Sequence, residues 1–117
     1  MEATFKHGDP LFVDYTPGSA VDAGDVVVLD SVPFVAHSDI AASELGAVAA
    51  RGGVYTMTAD AEIAAGDKVY WDSSASKITI STDTGANKHF GFVAPGGGSS
   101  ADGDPIIVIH APDGTAI

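Results

Sequence analysis

Hydrophobic and polar positions alternate along this chain with a period of two, in short runs. "LFVDY" (11–15), "VVVLD" (26–30), "FVAH" (34–37), "GAVAA" (46–50), "GVYTMT" (53–58), "KVYWD" (68–72), "KITIS" (77–81), "HFGFVA" (89–94) and "IIVIH" (106–110) are the runs. Each is rich in β-branched or aromatic residues and bounded by Gly, Pro, Asp or Ser, the pattern of strands separated by turns. No helical stripe is sustained. The one candidate is "SDIAASELGAVAA" (38–50), where Ser38 can cap and Ala41, Ala42, Glu44 and Leu45 tolerate helix. Gly46 and the strand-like run beyond it limit that helix to a turn or two. Strands spaced by roughly 8–12 residues predict an all-β fold, a small antiparallel β-barrel or sandwich with little helix.

The starts of the runs carry a signal of their own. Gly-Asp occurs at 8–9, 24–25, 66–67 and 103–104, each time followed within two residues by an apolar run. Gly adopts positive φ without steric penalty and Asp bonds nearby backbone amides, so the pair turns the chain sharply into a strand. These aspartates need no catalytic role. Two of the runs repeat more than the turn: "DAGDVVVLD" (22–30) leads to "PFVA" (33–36), and "AAGDKVYWD" (64–72) leads to "GFVA" (91–94). Two related half-units follow, residues 21–58 and 63–115. The single β domain, 1–117, is divided into an N-terminal arm (1–10), a first strand with the first half-unit (11–58) and the second half-unit (63–115). Aligning the repeats sets Val27 and Leu29 against Val69 and Trp71, and alternation predicts all four as core residues.

Composition narrows the function classes. A chain of 117 residues is one domain. It has no cysteine, so disulfides and thiolate metal sites are excluded. No run approaches the roughly 18 apolar residues of a membrane span, and "MEATFKHGDP" carries no basic region followed by an apolar one, so neither membrane insertion nor a signal peptide is expected. With five basic residues and a formal charge of −11, the chain is unsuited to a nucleic-acid phosphate surface.

The chemical inventory is thin. His7, His37, His89 and His110 lack the spacing that brings two imidazoles to one metal. No serine sits in a G-x-S-x-G elbow. "GGGSSADGD" (96–104) has no phosphate-loop lysine and reads as a flexible surface loop. Asp102 and Asp104 lack the ligand ladder of an EF-hand. No catalytic residue, cofactor or metal site is assigned. "GDKV" (66–69) is similar to the lysine hairpin of lipoyl carrier domains, with Lys68 in the modified position, but the strand beyond it carries Tyr70 and Trp71, unusual beside a swinging arm.

A broader resemblance covers nearly the whole chain. "VDAGDVVVLD", "FVA", "GAVAARGGVYTM", "IAAGDKVYWDSSASKITIS", "FGFVA" and a terminal "IIVIHA" follow in order. Together they resemble the capsid decoration, or capsid cement, protein family of tailed phages and prophages. The most specific segment is Ala65-Gly66-Asp67-Lys68-Val69-Tyr70-Trp71-Asp72. The second Phe-Val-Ala keeps the preceding glycine of the family pattern, Gly91, whereas the first has Pro33. The resemblance implies a non-enzymatic virion protein, made in the host cytoplasm and placed on the outer surface of the capsid. Its partners would be the major capsid protein and copies of itself, as a homotrimer, and neither nucleic acid nor membrane. A host-surface or carbohydrate-binding β module on the virion is the alternative, which an exposed aromatic cluster around Tyr15, Tyr55 or Tyr70 would favour.

For the capsid contact the sequence offers the N-terminal segment, with Phe5 as an apolar anchor and Lys6 and His7 beside it. Pro10 would end that arm before the body begins. Residues 3–7 forming an internal edge strand of the same subunit is the other reading.

Overall fold

The computed structural model describes residues 2–112. Met1 of the arm and residues 113–115 of the second half-unit lie outside the described residues. Eight strands form one antiparallel sheet that curls into a half-barrel. They are β1 (Thr4–Tyr15), β2 (Val26–Leu29), β3 (Val32–Ala36), β4 (Gly46–Thr58), β5 (Lys68–Asp72), β6 (Lys77–Thr79), β7 (Lys88–Val93) and β8 (Pro105–His110). Among the described residues there is no α-helix, only a 3-10 turn at Asp83–Gly85. The expected helical turns at 38–50 are replaced by an ordinary turn, in which the Glu44 amide donates to Ala41 O at 3.1 Å, and by the start of β4.

The strand order is β2-β3-β4-β8-β7-β5-β6, with β1 paired to the other edge of β4. The strands assigned to the first half-unit, β2-β3-β4, stand as neighbours. So do β5-β7-β8 from the second, in mirror order, and the two sets meet where Val54–Thr58 pair with Pro105–Ile109. The segments 46–50 and 53–58 merge into the single 13-residue β4, bent at Gly52 where φ is 100°.

Three of the four Gly-Asp pairs behave as strand starts. Gly24, Gly66 and Gly103 have φ of 91°, 88° and 90°. Asp25 accepts the Asp22 amide at 3.0 Å, Asp67 the Ala64 amide at 3.2 Å and Asp104 the Ser100 amide at 3.2 Å. Gly8-Asp9 does something else: it sits mid-strand in β1, where the register against β4 shifts between Gly8 and Leu11. An inserted residue there bends the strand instead of starting it.

The main core lies inside the curl and gathers Val35, Tyr55, Met57, Val69, Trp71, Ile78, Phe90 and Val108, all buried. Val69 and Trp71 thus hold the core positions expected of them. Val27 does not join them: it packs on a second, smaller cluster with Val21, Ala36, Ile40 and Val48, while Val26 and Val28 face the main core. Leu29 is half-buried. The reason is a one-residue slip between the repeats. Val26 pairs with Val35, whereas its counterpart Lys68 pairs with Phe92, the counterpart of Phe34. A slip of one residue exchanges the two faces of a strand. Gly91 marks the same difference, because a Cβ there would lie 1.8 Å from Ile109 O of β8. Pro33 occupies the equivalent place in β3.

The Gly-rich segment 96–104 is not a loose loop. Ser99 bridges to Ile63 in both backbone directions, and its hydroxyl donates to Ala61 O at 2.7 Å. Gly98 leaves no room for a side chain, since its Cβ would stand 2.7 Å from Ile63 O.

Trp71→Ala should lower unfolding free energy by about 3–5 kcal/mol, the usual effect of truncating a buried aromatic side chain. Chemical denaturation checks it, and an unchanged midpoint would contradict the core assignment.

Candidate docking surface

Strand β1 is the most exposed element of the sheet. It is 12 residues long, and ten of its positions are exposed. Phe5, Leu11, Phe12 and Val13 stand out as large apolar side chains left open to solvent, Leu11 at 61%. Among the described residues, β1 pairs only with β4. Nothing in the sequence signalled the exposure of β1, because a short apolar run such as "PLFVDY" reads equally as a buried strand.

The segment read as an arm is part of the body. Thr4 pairs with Thr56 and Phe5 with Tyr55, so residues 4–10 form the in-chain edge strand, the second of the two readings. The chain is tied down even before β1. The Glu2 carboxylate accepts the Val26 amide at 2.7 Å and the Ser76 hydroxyl at 2.8 Å. Buried Ala3 donates its amide to Gly24 O at 2.9 Å. Pro10 does not end the strand, which continues to Tyr15.

Side chains of β1 reach the core through a cluster of rings. Phe5 and Phe12 flank His37, with ring centroids 4.8 and 5.0 Å away. His37 Nε2 and the Tyr55 hydroxyl share a hydrogen bond of 2.6 Å. Behind Tyr55, the His110 ring lies 5.9 Å off and stacks at 4.6 Å on Phe90. A cavity of about 300 Å³ opens beside the cluster, lined by Phe5, Gly24, Val35, Ala36, His37 and Tyr55 among others. Burial pushes the Tyr55 hydroxyl well above its ordinary range and keeps it protonated. His110 is fully buried and donates Nε2–H to Pro33 O at 2.7 Å, which leaves Nδ1 without a partner. Burial lowers the His110 pKa to about 4, with the charge on Arg51 acting in the same direction, and burial also lowers that of His37. The sequence held no sign that scattered residues 5, 12, 37, 55 and 110 converge, because no spacing relates them.

The other residues singled out from the sequence lie elsewhere. Phe5 is partly exposed, and Lys6 and His7 are fully on the surface of β1. Ala65 and Gly66 form the turn before β5, Tyr70 is half-buried and Asp72 closes the next turn by accepting the Ser74 hydroxyl at 2.6 Å, a bond that holds its carboxyl below the usual range. Lys68 lies on β5 with its ammonium 6.0 Å from the Tyr70 ring, and not at the tip of a hairpin as in a lipoyl carrier. Asp102 pairs with Lys77 at 2.7 Å. Among the described residues, no group of three or more His, Cys, Asp or Glu side chains is placed to hold a metal ion. Of the tyrosines around which an exposed aromatic cluster would favour carbohydrate binding, Tyr55 is buried and Tyr15 and Tyr70 are half-buried, while Phe5, whose ring meets that of Tyr55, and Phe12 are exposed.

Comparison with known proteins returned one family. A family model described as phage cement protein matches residues 5–108. No curated protein matches the chain. Among solved structures, the chain is similar to the N-terminal base of the head fiber gp8.5 of bacteriophage phi29. The TM-score is 0.48 and the identity 15%, with 86% of this chain and 95% of that one covered. That likeness is too loose to bear on function, and the family match alone carries the assignment.

Acid should weaken the fold through His110. Its folded pKa of about 4 lies below the unfolded value of 6.5, so the unfolded chain binds the proton first and stability falls as pH drops through that window. The loss should reach roughly 3 kcal/mol by pH 4. Denaturation at pH 7 and pH 4 should show a smaller difference for His110→Gln than for the parent; equal differences would place the acid sensitivity elsewhere.

Proposed function

The chain belongs to the phage cement protein family, and on that premise we propose that it is a structural protein of the virion which binds the outer surface of the assembled head and clamps neighbouring capsomers. The family match across residues 5–108 is the observation that carries this reading. The role is non-enzymatic, and it asks for surface and rigidity, not for a reactive centre. A protein that binds only the assembled shell stabilises that state by mass action. Many copies arrayed on one lattice convert modest single contacts into high avidity.

The capsid-facing contact in this reading is the N-terminal half of β1, with Phe5, Lys6 and His7. All three are exposed, and Lys6 is one of only five basic residues in the chain. Because the strand is already ordered against β4, docking needs little further ordering of the backbone, which favours affinity. Three copies around a threefold junction of the head, as a homotrimer, would match the symmetry of the site.

Purified protein mixed with undecorated expanded heads should co-sediment with them. The pair of reversals Lys6→Glu and His7→Glu should leave the melting temperature within a few degrees and cut head occupancy at least tenfold. Full occupancy by the double variant would remove this contact from the account, and absence of co-sedimentation by the parent protein would remove the cement role.

A further inference from the structure

The exposed apolar side chains are unevenly placed, and so is the charge. Of the seven large hydrophobics exposed among the described residues, four stand on β1 and a fifth, Leu45, immediately precedes β4. Strands β1 and β4 together hold two cations, Lys6 and Arg51, and two anions, Asp9 and Asp14, so this ribbon is formally neutral and the net charge of −11 belongs entirely to the rest of the chain. The stretch 16–45 alone contains five acidic residues and no basic one. Neither Lys6 nor Arg51 forms an ion pair among the described residues.

We propose that the distal half of the ribbon, Leu11, Phe12 and Val13 with Arg51 and Asp14 beside them, is an interface between copies of this chain, and that its occupant is a second copy. The charge distribution selects that occupant. Acidic faces of two copies repel at close range, whereas the neutral ribbon lets like molecules meet and pairs the cations of one copy with the anions of the next. Arg51 stands opposite Leu11 in the β1–β4 register, and Asp14 lies one residue beyond Val13. Arg51 of one copy can therefore meet Asp14 of the next, a head-to-tail contact of the kind that closes a ring of three. A long edge strand with exposed apolar side chains is also the part of a sheet most prone to associate. Lys6, Pro10 and the register shifts before Leu11 protect the first half of β1 from strand pairing, while Phe12–Tyr15 run in regular register against Ala49–Gly46. The two halves of one strand thus serve two contacts, the proximal one with the head and the distal one with a sister copy. This deepens the trimer of the proposed function, but its test needs no heads.

The test is sedimentation equilibrium of the full chain at 50 and 500 mM NaCl. Screening weakens repulsion between the acidic bodies and leaves apolar contact intact, so the parent should self-associate with a dissociation constant that falls several-fold at high salt. The pair Leu11→Glu and Val13→Glu, both at exposed sites, should be monomeric with an unchanged circular dichroism spectrum. Arg51→Glu should weaken association about tenfold, and adding Asp14→Arg should restore it. A parent that stays monomeric at both salts, an L11E/V13E variant that keeps the parent's mass, or association that weakens as salt rises would each overturn the proposal. A parent that decorates heads while remaining monomeric in solution would give the ribbon to the capsid and leave the cement reading standing. A parent that associates through the ribbon and ignores heads would do the reverse.

Discussion

Strand β4 is the constraint on which the fold depends. It pairs with β1 along one edge and, along the other, with β3 through Val48 and Ala49 and then with β8 from Val54 to Thr58. One strand therefore joins the two sets of three and carries the exposed ribbon as well. A single sheet has no second layer to bury its apolar face, so it curls upon itself, and β4 carries a bend at Gly52, where φ is 100°. Tyr55, just beyond that bend, is fully buried and touches Phe5, His37, Phe90 and His110. It links β1 to β7, to β8 and to His37 just beyond β3. The exposure of β1 is affordable only because these rings fasten it from within.

The same arrangement separates two demands on the surface. Acidic loops keep the chain solvated and hold like molecules apart. The neutral ribbon is the exception, and its apolar side chains are held out by a strand tied at Glu2, Ala3 and Phe5. Rigid presentation reduces what docking must order. That combination suits a protein which acts by contact and whose contacts matter only when many copies stand together.

Much of the architecture was legible in the residues. The Gly-Asp turns, the period of two and the burial of Val69 and Trp71 follow from local chemistry that a strand cannot avoid. What failed to show was long-range. Val27 and Leu29 alternate correctly, yet the slip between Val26–Val35 and Lys68–Phe92 turns Val27 away from the main core, and no local pattern encodes pairing register. Residues 4–10 contain Gly8 and Pro10, which read as a break; they are a bulged edge strand because β4 is long enough to hold them. Of the candidate docking surface, the sequence marked Phe5, Lys6 and His7, which the structure places at exposed positions of β1. The ring cluster was not, because His37, Tyr55 and His110 meet only once three strands are in place.

The central claim is that this protein is cement, and the most direct measurement is electron cryomicroscopy of expanded heads before and after its addition. The account predicts ordered extra density on the outer shell between capsomers, with the proximal half of β1 turned toward the capsid. Heads indistinguishable before and after addition, at protein concentrations saturating every lattice position, would contradict it.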